Sequence, residues 1–212
     1  MITDLSEMFD KTIKSLSDEG TRPRLLLHAC CAPCSSYVTE LLDPCVSLTL
    51  FFYNPNISPE NEFTKRYDEL VRYIDLRFKN RIEIICPEWN NNDFLSAVEG
   101  LYDIPEGGER CMRCFALRLE ETAKAAAEGG FSYYCTTLSV SPYKNAYALY
   151  KIGTEIGKKY GVKYLPSDFK KKDGYKRSIE LSKEFGLYRQ NFCGCAFSEA
   201  EAEKRRGSKA SE

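Results

Sequence analysis

The sequence predicts an α/β protein, a parallel sheet with helices on both faces, in a single domain spanning residues 1–212. Three observations predict it. Short apolar runs alternate with longer stretches of helical period, at the spacing of βαβ units. Prolines such as Pro55 and Pro87 stop these runs where strands should end. The 212 residues, 43% of them hydrophobic, suffice for one core. An α/β core over about residues 22–190 is expected, with a C-terminal part at 191–212 that carries a CGC motif and a charged, frayed tail.

The elements follow in order. Thr3 to Ser17 reads as a surface helix, and RLLLHAC as the first strand. CSSYVTELL, from Cys34 to Leu42, is a helix that begins on two serines and ends at Asp43-Pro44. SLTLFFYNP is the second strand. From Pro59 to Lys79, Phe63, Tyr67, Leu70, Ile74 and Phe78 share one helical face. IEIIC is the third strand, followed by a short helix DFLSAVEGL and the turn-rich IPEGGE. CMRCFALRLEETAKAAAEGG is a helix with glycines at its end. FSYYCTTL is the fourth strand, SPYKNAYALYKIGTEIGKKYG a helix, VKYLPSDF the fifth strand, and YKRSIELSKEFG another helix. In a parallel sheet ligands collect beyond the carboxyl ends of the strands, so HACC, YNPN, CTTLSVSP and PSDFKK should converge on one edge.

Charge excludes a polycationic protein. Thirty basic residues meet 31 acidic ones, for a net charge of −1, so any nucleic acid must bind through a local patch. No run approaches the ~20 apolar residues of a membrane helix, and the N-terminus lacks an apolar signal core. A cytoplasmic location is expected. Ten cysteines then call for metal or thiol chemistry, because structural disulfides are disfavoured in that compartment.

Seven of the ten cysteines are clustered. Cys30, Cys31 and Cys34 stand where a strand meets a helix N-terminus, which favours thiolates, and Cys31-Ala-Pro-Cys34 also has redox C-x-x-C spacing. Cys111 and Cys114 lie one turn apart on a helix and can reach one metal, or form half of a zinc ribbon, with Arg110, Arg113 and Arg118 nearby. Cys193-Gly-Cys195 can close a strained, easily reduced bridge or chelate a metal. Cys45, Cys86 and Cys135 read as ordinary buried residues. Four thiolates from two pairs suit zinc or a [4Fe–4S] cluster. Adjacent Cys30 and Cys31 are an awkward zinc chelate, since neighbouring side chains diverge, and a cluster with a redox pair explains more of the chain. From Lys158 to Arg177, basic residues are interleaved with Tyr160, Tyr164, Phe169 and Tyr175, as a single-stranded RNA loop would require. Lys204, Arg205, Arg206 and Lys209 could extend that patch.

HACCAPC, ERCMRCF with Arg118, TTLSVSPYKN, SDFKKKDGY and CGC, together and in this order, resemble the QueH-type epoxyqueuosine reductases. The resemblance covers residues 28–195. It implies a fold similar to the HUP group of adenine-nucleotide α-hydrolase-like domains, with a metal-binding helical and C-terminal part. The SGGxDS phosphate loop of its ATP-using members is absent, and no ATP use is expected. The implied reaction removes the epoxide oxygen of epoxyqueuosine in a tRNA anticodon. The resemblance implies that Cys30, Cys31, Cys111 and Cys114 hold a [4Fe–4S] cluster, with Cys34 left over for either site. Cys193 and Cys195 are then a redox pair or ligands to a second, mononuclear iron. An unidentified electron donor is implied as well. Tyr143, Lys144 and Asp168 are candidates for activating the epoxide, and Lys170, Lys171, Lys172 and Tyr175 for binding RNA. His28, the sole histidine, could serve as proton donor or as a structural residue. The competing readings are a zinc-stabilised nucleic-acid-binding module, a thiol–disulfide oxidoreductase using Cys31 and Cys34, and a cluster-bearing tRNA thiolation enzyme.

Overall fold

The computed structural model describes residues 4–209, with side chains as far as Arg206. Thr3 and the side chain of Lys209, both part of the sequence-based expectations, lie outside the described residues. Helix α1 (Leu5–Asp18) starts where the Asp4 carboxylate accepts from the Ser6 N–H at 2.9 Å. β1 (Arg24–His28) follows, with Leu25, Leu26 and Leu27 all fully buried. Burial on both strand faces is what a parallel sheet covered by helices demands. Then come α2 (Ala32–Leu42), β2 (Ser47–Phe51), α3 (Glu60–Phe78), β3 (Glu83–Ile85), α4 (Asn91–Ala97), α5 (Glu109–Glu128), β4 (Tyr133–Thr136), a 3₁₀ turn (Thr137–Val140), α6 (Ala146–Tyr160), β5 (Lys163–Tyr164), α7 (Gly174–Glu184) and α8 (Ala196–Lys209).

The five strands are all parallel, in the order β3-β2-β1-β4-β5. The order reverses at β1. Right-handed crossovers therefore put α2 and α3 on one face and α5 and α6 on the other. The packing agrees: α2 meets α3 and α7, while α5 meets α6, β1 and β4. This arrangement is compatible with the HUP-like fold implied by the resemblance. The reversal opens a crevice beyond the carboxyl ends of β1 and β4, where such sheets bind ligands.

Two expectations need correction. The fifth strand holds only Lys163–Tyr164, rather than reaching Phe169. It is an edge strand, and Pro166 has no N–H to continue a ladder. The tail is not frayed over Ala196–Lys209. It forms α8, which buries Ser198 and Ala202 and is held by Glu201, whose carboxylate accepts from Arg110 at 3.0 Å. A small apolar cluster of Phe94, Val98, Cys114 and Cys195, with Phe197 against it, joins the CGC segment and α8 to α4 and α5.

Candidate active site

The crevice at β1 and β4 is lined with thiols. Cys31 is the N-cap of α2 in extended conformation, and Cys34 sits in the first turn beside Pro33. The chain passes from strand to helix between Cys30 and Cys34, so the alternation that would separate neighbouring side chains is broken. The sulfurs of Cys30 and Cys31 are 3.8 Å apart, and those of Cys30, Cys31 and Cys34 all lie within 4.8 Å of one another. The expected divergence of Cys30 and Cys31 is therefore absent, and Cys34 joins them. These three residues form a group that could hold a metal. Hydrogen bonds from Cys30 and Cys34, with help from the Arg66 charge, hold the Cys31 thiol well below its usual pKa. The same contacts push Cys34 well above. The Thr137 hydroxyl reaches the Cys30 sulfur at 3.3 Å.

A second thiol group faces the same region. Gly108 caps α5, which puts Cys111 in its first turn and Cys114 one turn further on. Together with Cys193 and Cys195 they surround a small chamber that Asn56, Arg110 and Arg118 also line. The Gly107 N–H donates to the Cys111 sulfur at 3.2 Å, and the Ser198 N–H to Cys195 at 3.4 Å. Burial raises Cys114 to about 11 and Cys195 to about 12. All ten cysteines are free thiols.

Buried cations join the two groups. Arg118 is 1% exposed and lines both the small chamber and the larger cavity above Cys30, Cys31 and Cys34. Burial works against its charge, but the thiols of Cys114, Cys193, Cys30 and Cys111 outweigh it and its pKa is raised. Arg66, 2% exposed, donates through Nη1 to the Cys193 carbonyl at 3.0 Å. Arg66 Nη2, Arg110 Nε, Arg118 Nη2, Asn54 Oδ1 and both amide atoms of Asn56 are buried without a hydrogen-bond partner. All of them lie on the walls of these two spaces. Unmade bonds of this kind are costly, and most of these atoms are donors. The walls fit an anionic, hydrogen-bond-accepting group between the thiols.

The larger cavity encloses about 900 Å³. Its basic lining residues are Arg66, Arg118, Lys144, Arg189, Arg205 and Arg206, against one carboxylate, Glu106. Lys144, Tyr143 and Tyr175 are among the residues that line the cavity. Lys144 also bonds Cys193; burial opposes its charge, and Cys193 more than compensates, so its pKa is raised. Asp168 is instead paired with Lys170 at 2.5 Å, and Lys172 with Asp10. Lys171 is exposed. None of these four is among the cavity-lining residues. His28 is fully buried, bridging Thr136 Oγ1 at 2.8 Å and the Tyr53 carbonyl at 3.1 Å. Burial, aided by Arg118, lowers its pKa to about 4, which makes it a neutral tie between β1 and its neighbours.

A family model described as epoxyqueuosine reductase QueH matches residues 25–201, which include both thiol groups. The chain belongs to the QueH family of epoxyqueuosine reductases. It is accordingly an oxidoreductase. A relative of that name from Streptococcus pyogenes is 41% identical over 182 residues, 84% of this chain and 71% of its own length. One from Staphylococcus epidermidis is 41% identical over 88% of this chain and 81% of its own. A third, from Thermotoga maritima, is 37% identical over 86% of this chain and 97% of its own.

Several residues of this family member's site were not legible in the sequence. Arg66 stands in a helix whose apolar face was read as Phe63, Tyr67 and Leu70, and nothing distinguishes it from the helix's exposed arginines. Asn54 and Asn56 flank Pro55 after β2, where a turn would use the same residues. Arg189 and Phe192 fall in a segment of no regular structure. The one available signal was position, since YNPN follows a strand end.

Proposed function

We propose that this chain reduces epoxyqueuosine to queuosine in a tRNA anticodon, with a [4Fe–4S] cluster held by Cys30, Cys31, Cys111 and Cys114. The observation that supports the reading is two thiol groups lining two spaces that share Arg118 and Cys193, with buried, unpartnered guanidinium and amide groups among the lining residues. A thiolate-ligated cluster is anionic, and its sulfurs accept hydrogen bonds. When bound, such a cluster supplies single electrons from an external donor.

The chain's own residues account for the rest. Removing the epoxide oxygen takes two electrons and two protons, releases water, and leaves a carbon–carbon double bond. Oxidation of the Cys193 and Cys195 thiols to a disulfide yields two electrons and two protons, so the pair matches the demand; ligation of a second, mononuclear iron is its alternative use. Lys144, bonded to Cys193 and held protonated, is the group that delivers a proton to the departing oxygen in this reading. Arg66 and Ser198 fix the CGC backbone, through the Cys193 carbonyl at 3.0 Å and the Cys193 N–H at 2.8 Å. The excess of basic side chains around the cavity suits a polyanionic RNA, and the free thiols suit a cytoplasmic setting.

Anaerobic reconstitution with iron and sulfide tests the cofactor. About four or more irons per chain and a brown colour are expected. A colourless protein that keeps one zinc and refuses iron would return the site to a structural role.

A further inference from the structure

Among the described large apolar side chains, Tyr143 is the most exposed, at 84%. A phenol ring left in water contributes little to the fold, and any polar residue would serve a turn equally well. Its place makes it informative. Tyr143 is a lining residue of the thiol cavity, next to Lys144, and Tyr147 in the first turn of α6 is 49% exposed. The backbone beneath Tyr143 is fixed. Pro142 precedes it, its own N–H donates to Ser141 Oγ at 3.3 Å, and the Lys144 N–H donates to the Ser141 carbonyl at 3.2 Å. The ring itself contacts no other ring among the described residues.

We propose that Tyr143 is a stacking platform for the base next to the one that enters the cavity. The inference rests on the proposed RNA substrate and deepens it. A nucleotide turned out of a loop into a cavity leaves its neighbour with one unstacked face. A rigidly mounted aromatic ring at the entrance replaces that lost contact, and any base can use it, because every base has a π-face. Phosphates on either side of the turned-out nucleotide need cations. Arg189 from the segment after α7 and Arg206 from α8 supply them on the same cavity wall, while Arg205 beside them is paired with Glu106 at 3.5 Å. The expected basic stretch is less suited, since Lys158, Lys159, Lys170 and Lys172 are each engaged by a carboxylate.

The test is a coupling measurement on full-length protein with a fluorescent anticodon stem-loop RNA. Tyr143→Ala should weaken binding about ten-fold or more, within the range of one base–aromatic stack. Tyr143→Phe and Tyr143→Trp should bind as the wild type does. Abasic replacement of one loop nucleotide flanking the modified position should weaken wild-type binding similarly and add little in Tyr143→Ala. Unchanged affinity in Tyr143→Ala, equal loss in Tyr143→Phe, or additive losses at every abasic position would each overturn the platform. Wild-type protein that reduces the free nucleoside but does not bind the stem-loop would overturn the RNA reading and the platform with it.

Discussion

Arg118 shows how one side chain can serve both thiol groups. Its guanidinium is buried, it lies within charge range of Cys30, Cys111, Cys114 and Cys193, and one of its nitrogens has no protein partner. A fixed cation beside an anionic cluster favours the more negative, reduced state. Arg118→Met keeps most of the side-chain volume and removes the charge. It should lower the reduction potential of the bound cluster, on the order of tens of millivolts, while iron content stays near that of the wild type; an anaerobic redox titration reads this directly. An unchanged potential would mean that Arg118 serves packing alone. The sequence displayed Arg118 near a C-x-x-C pair but gave no sign of Arg66, because burial of an arginine is decided by what packs over it. It paired Cys34 with Cys31 by C-x-x-C spacing and left its site open, because the convergence of three sulfurs depends on the backbone change at Cys31.

At the scale of elements, the CGC segment and α8 act together. Gly194 has φ near 118°, a conformation other residues rarely adopt, and a Cβ there would meet Arg66 Nη1 at 2.9 Å. The Ser58 N–H donates to the Gly194 carbonyl at 2.9 Å, so the segment is clasped from the α3 side as well. α8 is held chiefly by Glu201, which accepts from Arg110 Nη2 and from the Glu106 N–H, both at 3.0 Å. Arg110 is almost fully buried, with the Phe197 ring 4.6 Å from its guanidinium carbon. Glu201→Ala should cost about 1–3 kcal/mol in urea denaturation, below the full value for a buried pair because Glu201 is partly exposed. A loss below about 0.5 kcal/mol would show that α8 is held by its apolar face instead. The sequence hid this helix. Its residues are mostly charged, its apolar positions are few, and the ion pair that fixes it reaches across some ninety positions of chain.

For the whole molecule, the alternation of apolar runs and helical segments was enough to predict the parallel sheet, and β1, β2 and β4 fall within RLLLHAC, SLTLFFYNP and FSYYCTTL, each shorter than expected. Strand order was not legible, since it depends on which crossovers fall on which face. That order positions the candidate site, because the reversal at β1 opens the crevice where HACC and the Thr136–Thr137 turn come together, next to the chamber that the α5 cysteines line. Of the predicted RNA stretch, Tyr175 lines that crevice while Lys170, Lys171 and Lys172 do not, and two of the stretch's lysines find carboxylates on other elements, Asp10 and Glu120. The central claim is that this crevice removes the epoxide oxygen. The direct measurement supplies iron-loaded protein, anaerobically, with a chemical reductant and tRNA carrying epoxyqueuosine, then digests the RNA and weighs its nucleosides. The account predicts a nucleoside lighter by one oxygen with wild-type protein, and none with Cys193→Ser although its iron is retained. Epoxyqueuosine recovered intact from iron-loaded wild-type protein, or full conversion by Cys193→Ser, would contradict it.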